Sequence, residues 1–404
     1  MPVWQEAVKE YVDSGELVAI GVVQEQHPDR TRLYRQWRQL KWPIFVDSLN
    51  TIGHINVVPV PVALDEAGLV VDADFRPAEL DEFMKHANNE TPFPKTFNIA
   101  SPPSMELIMA SLANDPSFDI FLAMGTAYFH SGDVRDLDTA VFALQEAASM
   151  EPDNDDVQFR LGTTLRRRSE TRFRKPGDQQ AAVDHWTKAL DADPNHYIRR
   201  RRLQQYGPRL DKPYNFYFWV EEARKDIRAR GEEPVELTAE PMGSEIAAPQ
   251  KAGQPTEISK RERPDKDNQI VRDEKNLVII EGLVTPSRVQ AGKRVRGRMT
   301  FRLNEKTEPW WNNEADDLTM WLDLPEGLTL VEGSLDFPNP ETPETQELRQ
   351  VEFEIGIGDS LPAGTHQIPG FALYYVCEDE GGVCRFLRQD FSLTVTVDAS
   401  ATAL

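Results

Sequence analysis

The spacing of apolar residues changes along this chain, and no single architecture accommodates both spacings. From residue 274 onward, "NLVIIEGLV", "KRVRGRMTFRL", "LTMWLDL", "LTLVEGSLDF", "LRQVEFEIGI", "FALYYVC" and "RQDFSLTVTV" alternate apolar with polar positions and are separated by turn residues. Successive side chains of a strand point to opposite faces, so a period of two lays one buried stripe along each strand. About seven such strands predict a β-sandwich over 271–398. Between 101 and 231 the apolar residues recur at helical spacing instead. The intervening 232–270 contains "EIAAPQKAGQPTEISKRERPDKDNQ", polar and proline-bearing, and reads as a linker.

Composition bounds what these parts can do. Of 404 residues, 40% are hydrophobic and 28% charged, enough for buried cores in a chain long enough for about three domains. The longest apolar runs, "ELVAIGVVQ" and "NLVIIEGLV", fall far short of the roughly 18 residues of a bilayer span. A formal charge of -22 repels phosphate backbones, which argues against nucleic acid as the main partner. The opening "MPVWQEAVKEYVDSGE" carries early acids and no continuous apolar run, so it is not a secretory signal as it stands. That leaves a cytoplasmic protein or a chain whose beginning lies upstream. The seven histidines show no HExxH spacing, two cysteines cannot build a four-thiolate zinc site, and P-loop, GxGxxG and GxSxG motifs are lacking. No metal and no cofactor is expected.

Residues 1–92 alternate helix and strand signals, as an α/β unit does. "WQEAVKEYVDSG" places Trp4, Ala7, Val8, Tyr11 and Val12 on one helical face; "LVAIGVVQ" reads as a buried strand, "PDRTRLYRQWRQLKW" as a helix and "PIFVD" as a second strand. "VVPVPVALDEAGLVV" gives a strand, a turn at Glu66 to Gly68 and a returning strand, and "PAELDEFMKHA" a closing helix. This order, with Pro59 ahead of a strand ending in Asp65 and Gly68, resembles the thioredoxin-like fold of redoxins. The resemblance implies a cis bond before Pro59, rather than before Pro61, and a partner-binding role for Pro59. The family's first strand and CxxC would precede Met1, so the domain as written lacks a central strand and thiol chemistry. A truncated chain and a degenerate binding domain both fit.

The helical region repeats itself. Met124, Gly125 and Tyr128 recur 37 positions later as Leu161, Gly162 and Leu165, and Ala140, Leu144, Ala147 and Pro152 recur 42 positions later as Ala182, Trp186, Ala189 and Pro194. Both sets resemble the tetratricopeptide pattern, which implies helix pairs that bind a peptide or protein. Small residues at the glycine and alanine positions let helices approach. The flanking "SMELIMASLAND" and "YNFYFWVEEARKDIRARG" are the expected caps of this stack, with "YNFYFWV" read as capping core. The basic runs "LRRRSETRFRK" (165–175), placed in the insertion between two helices, and "IRRRRLQQYGPRLDKP" (198–213) read as solvated faces. The alternative is a patch for an acidic partner.

Both cysteines of the chain lie in "YYVCEDEGGVCRFLRQDF". Strands so close in sequence pair as a hairpin, and opposed cysteines lie near enough for a disulfide. Glu378, Asp379 and Glu380 would raise a nearby thiol's pKa and Arg385 and Arg388 would lower it, although alternation points Arg385 away from Cys384. Tyr374, Cys377, Gly381, Gly382, Cys384 and Phe386 resemble the motif of the amino-terminal, immunoglobulin-like domain of DsbD thiol-disulfide interchange proteins. Here six residues separate the cysteines where the family usually has five. The resemblance implies exchange with thiol-disulfide proteins in the cell envelope, with Cys384 as attacking thiol and Tyr374 and Phe386 beside the partner. "EPWWNNEADD", with Trp310 and Trp311, is the expected shield of the pair. From the residues alone, redox exchange, a static staple and two idle thiols all remain open.

The fold class expected is therefore multidomain α+β: an incomplete thioredoxin-like domain (1–92), tetratricopeptide helices (101–231), a linker (232–270) and an immunoglobulin-like β-sandwich (271–398). Its function is expected to be thiol-disulfide interchange through Cys377 and Cys384, or else scaffolding with a structural disulfide.

Overall fold

A computed structural model describes residues 2–24, 27–52, 55–87, 104–114, 116–209, 219–238, 240, 262–378 and 383–404. It is a mixed α+β chain that falls into two compact units. The first comprises Met1–Phe173, Asn195–Arg201 and Phe216–Pro241; the second comprises Arg174–Pro194, Arg202–Asn215 and Met242–Leu404. The expected helical segment 101–231 is thus shared between the units.

In chain order the first 240 residues form α1 (Pro2–Ser14), β1 (Gly21–Val23), α2 (Pro28–Arg38), β2 (Ile44–Val46), β3 (Ala63–Leu64), β4 (Val70–Asp72), α3 (Leu80–Ala87), α4 (Met105–Asn114), α5 (Phe118–His130), α6 (Leu137–Met150), α7 (Asp155–Ser169), α8 (Asp178–Ala192), α9 (Tyr197–Gln204) and α10 (Trp219–Ala229). All but α8 and the end of α9 lie in the first unit. Val8 of α1 and Leu80 and Met84 of α3 close over Trp42, Ala63 and Phe75. The β3–β4 turn is held by Asp65, whose carboxylate accepts from the N–H groups of Ala67 and Leu69, and by Gly68 at φ 76°. The Val58–Pro59 bond is cis.

β1 pairs in parallel with β2, and β3 antiparallel with β4, as two separate sheets. The expectation of a buried strand at 17–24 fails here. Val18, Ile20 and Val22 are exposed, as are Val58, Val60, Val62 and Leu64, because β1 has β2 as its one neighbour among the described residues.

α5 and α6 pack closely at Gly125, where a Cβ would come within 2.5 Å of Leu144 Cγ. Asn154 caps α7 by accepting from the N–H groups of Asp156 and Val157. The expected insertion at 165–175 begins later than read, since α7 runs to Ser169. Its arginines form a solvated face only in part: Arg172 is exposed, whereas Arg166 and Arg168 are buried, paired with Glu170 and Asp138. Arg199 is buried against Asp155, and Arg202 is buried as well. Ion pairing offsets the desolvation that a periodicity argument takes as prohibitive.

Helix α10, expected to cap the repeats, packs instead on α2. Val220, Ala223 and Ile227 bury Leu33 and Trp37, and Trp219 stacks on Trp37 at 6.2 Å. Residues 214–218 of "YNFYFWV" lie outside the described residues. Both ends of the expected linker are docked within their own units. Val235 donates its N–H to Gln36, and Thr238 its N–H to Asp29; Arg263 pairs with Asp323, and Asp265 with Arg388.

The second unit continues with β5 (Val278–Thr285), β6 (Arg288–Val289), β7 (Arg294–Leu303), β8 (Trp310–Asn312), β9 (Leu318–Leu322), β10 (Leu328–Gly333), β11 (Asp336–Phe337), β12 (Glu344–Thr345), β13 (Arg349–Ile357), β14 (Gly364–Cys377) and β15 (Cys384–Val397). One sheet runs β10-β13-β7-β5; the other runs β11-β9-β14-β15-β6, with β8 joining β14 to β12. All pairings are antiparallel except β15–β6. Inward residues of both sheets, among them Phe301, Phe353, Trp311 and Tyr374, share one core. The outer face of the four-stranded sheet is also covered. Gln180 of α8 exchanges hydrogen bonds with the backbone of Val284, and Arg296 and Arg298 are buried against Glu352 and Glu354.

Candidate functional site

The β14–β15 hairpin pairs without interruption from Gly364↔Val397 to Cys377↔Cys384. Alternation then decides what each side chain meets. Val376 and Tyr374 face the core, so Cys377 and Tyr375 face outward, joined by their opposed partners Cys384 and Phe386. The cysteines are bonded, with Cα atoms 3.9 Å apart. Their surroundings differ: Cys377 is 0% exposed, whereas Cys384 is exposed.

The aromatic shell is partly as expected. Phe386 is 38% exposed and stacks on Tyr375 with ring centroids 4.4 Å apart. Val383 beside it is 65% exposed. Tyr374, expected to meet a partner, is instead fully buried under Trp311. Its hydroxyl donates to Asp273 at 2.8 Å, and burial together with that carboxylate pushes its pKa up. The outward aromatic is Tyr375, a residue that counting by twos back from Cys377 would have found.

The segment expected as a shield does lie beside the pair. β8 sets Trp310 directly opposite Cys377 and Trp311 opposite Val376, so Trp310 shares the outer face with the sulfurs while Trp311 is in the core. The Trp310 indole N–H is buried and finds no acceptor among the described residues.

Of the acids, Glu378 is neutralised locally. Its carboxylate accepts from Lys275 Nζ and, at 2.9 Å, from Arg385 Nε, and these bonds, Lys275 foremost, hold its pKa below the usual carboxylate value. Arg385 lies opposite Val376, on the other face from the sulfurs. Asp379 to Gly382 lie outside the described residues. Pro59 belongs to the first unit and the cysteines to the second. Among the described residues no cluster of three or more His, Cys, Asp or Glu has the arrangement to hold a metal ion, and no helix is long and apolar enough to cross a membrane.

No protein-family model matches the chain, and no curated protein matches it. Solved structures give weak likenesses. AvmM, which catalyses macrocyclization in alchivemycin A biosynthesis, is 12% identical over 30% of this chain and 90% of its own, at a TM-score of 0.19. AggA, the major subunit of aggregative adherence fimbriae type I from Escherichia coli, is 10% identical over 32% and 99%, at 0.16. The Pseudomonas fluorescens alkylpurine DNA glycosylase AlkC is 11% identical over 75% and 84%, at 0.15. Likenesses of this size carry no argument about fold or function.

Proposed function

We propose that this chain exchanges disulfides with a thiol protein of the cell envelope through Cys377 and Cys384. In this reading it consists of an incomplete thioredoxin-like domain, a tetratricopeptide pair that holds the partner and an immunoglobulin-like domain of the DsbD amino-terminal type. The observation that carries the reading is the asymmetry of the pair, one cysteine exposed and its directly opposed neighbour buried. An incoming thiolate meets Cys384 first. It forms a mixed disulfide there, and the electron pair of the broken bond leaves on Cys377. A second thiolate of the partner then attacks the partner's own sulfur, releasing Cys384 and an oxidised partner. Phe386, with Tyr375 and Val383, supplies an apolar surface beside the exposed sulfur.

Thiol trapping across graded redox buffers tests this. Exchange requires a potential in the periplasmic range, and a pair still oxidised below about -300 mV would be a structural staple. A second reading, a non-catalytic scaffold, draws on the exposed apolar residues Val18, Ile20, Val22, Val58, Val60 and Val62 of the first unit. Replacing both cysteines by serine separates the two readings. Loss of exchange at little cost in stability favours the first, whereas loss of stability alone favours the second.

A further inference from the structure

We infer that Trp310 is the group that receives the sulfur of Cys377 when the disulfide opens. The inference rests on the exchange reading above and adds a residue to it. Trp310, Cys377 and Cys384 form one row across β8, β14 and β15, each directly opposite the next. Directly opposed side chains of an antiparallel pair lie on one face with Cβ atoms roughly 4.5–5.5 Å apart. An indole ring on that row is therefore a near neighbour of the Cys377 sulfur.

Two observations make this more than proximity. The Trp310 N–H is buried without an acceptor among the described residues, and a buried donor without a partner calls for an explanation. In addition, Cys377 is wholly buried, and burial disfavours a thiolate. The leaving group of the exchange thus needs a donor on its own face of the sheet. Arg385 is on the opposite face and engaged with Glu378, while the Trp310 N–H has no acceptor among the described residues. In the oxidised protein the sulfur is only a weak acceptor for that donor. Attack on Cys384 breaks the sulfur–sulfur bond, places the electron pair on Cys377 and gives that N–H an anionic acceptor. A leaving thiol with a lowered pKa departs faster, so Trp310 accelerates reduction of the pair by acting on the departing sulfur.

Trp310→Phe in the full chain keeps the ring and removes the donor. Expected are a Cys377 thiol pKa raised by about one unit in the reduced protein, read by thiolate absorbance, and reduction by dithiothreitol slowed about tenfold, the loss typical of one hydrogen bond to a charged group. In nitrogen-labelled wild-type protein, the indole signal absent from the variant should shift on reduction and follow the same titration. Wild-type pKa and rate in the variant, or an indole signal indifferent to reduction, overturns the inference. These readouts use dithiothreitol, so they stay informative if graded redox buffers show the wild-type pair too stable for exchange, a result that sinks the exchange reading instead.

Discussion

Tyr374 and His185 show how burial sets the duty of a single polar side chain. The Tyr374 hydroxyl reaches Asp273 and Gln389 at 2.8 and 3.1 Å, and the same Asp273 accepts from the N–H groups of Leu277 and Val278. Tyr374→Phe should cost about 1–3 kcal/mol in urea unfolding and leave the rate of disulfide reduction unchanged, since the hydroxyl lies on the core face. His185 of α8 is held neutral, first by burial and then by Lys188, with its pKa lowered from 6.5 to about 4. The sign follows from linkage. Above pH 6.5 the ring is neutral folded or unfolded and its contribution is fully present. As pH falls from 6.5 to about 4, the unfolded chain takes up the proton first and stability is lost, by up to about 3 kcal/mol. His185→Gln should flatten that part of the stability–pH curve. Neither environment follows from composition; Tyr374 and Tyr375 differ only in parity relative to Cys377, and parity is readable from a sequence once one member of the strand is fixed.

Among the elements, what was readable depended on how far away in sequence the partner lies. The seven long sandwich strands lie where alternation places them, and the cysteines pair as opposed neighbours, because hairpin contacts are local. The short β6, β8 and β12 carry too few residues for a period. Gly125 was identified as a point of helix approach, and the distance to Leu144 bears this out. Gly125→Ala should therefore lower the melting temperature, since overpacking of about 1–3 kcal/mol outweighs the roughly 1 kcal/mol by which alanine favours a helix. By contrast, α10 found α2 and not the repeats, through Trp37, whose indole N–H donates to Asp226 at 2.8 Å. Those two helices are about 190 residues apart, and nothing in either amphipathic pattern names the other. The buried arginines of α7 were missed for a different reason: Arg166 pairs locally with Glu170, but charge alone gives no sign that its side chain is buried. Arg168 reads as solvated until Asp138 is known to face it.

For the molecule as a whole, a formal charge of -22 coexists with ion pairs buried inside the second unit, where Glu352 is held low by Arg296 and Arg298 although burial opposes it. These pairs sit on the outer face of the four-stranded sheet, where Glu354 also accepts from the N–H of Arg209. A fragment of residues 262–404 alone should uncover them. Its Val284 amide, which donates to Gln180 in the intact chain, should exchange with deuterium faster than in a fragment of residues 174–404. The polar, proline-bearing composition of 232–270 marks a linker, but it carries no sign of contacts such as that of Gln180 with Val284, made by residues on its far side. The same weaving has a cost in time. Asp191, at the end of α8, accepts from the N–H of Thr402, 211 residues later. At ribosomal speeds of about 5–20 residues per second, α8 waits roughly 10 to 40 seconds after its own synthesis before that anchor exists. During translation it is a nascent helix lacking part of its native surroundings, and a chaperone that shelters such segments has a task of that length there.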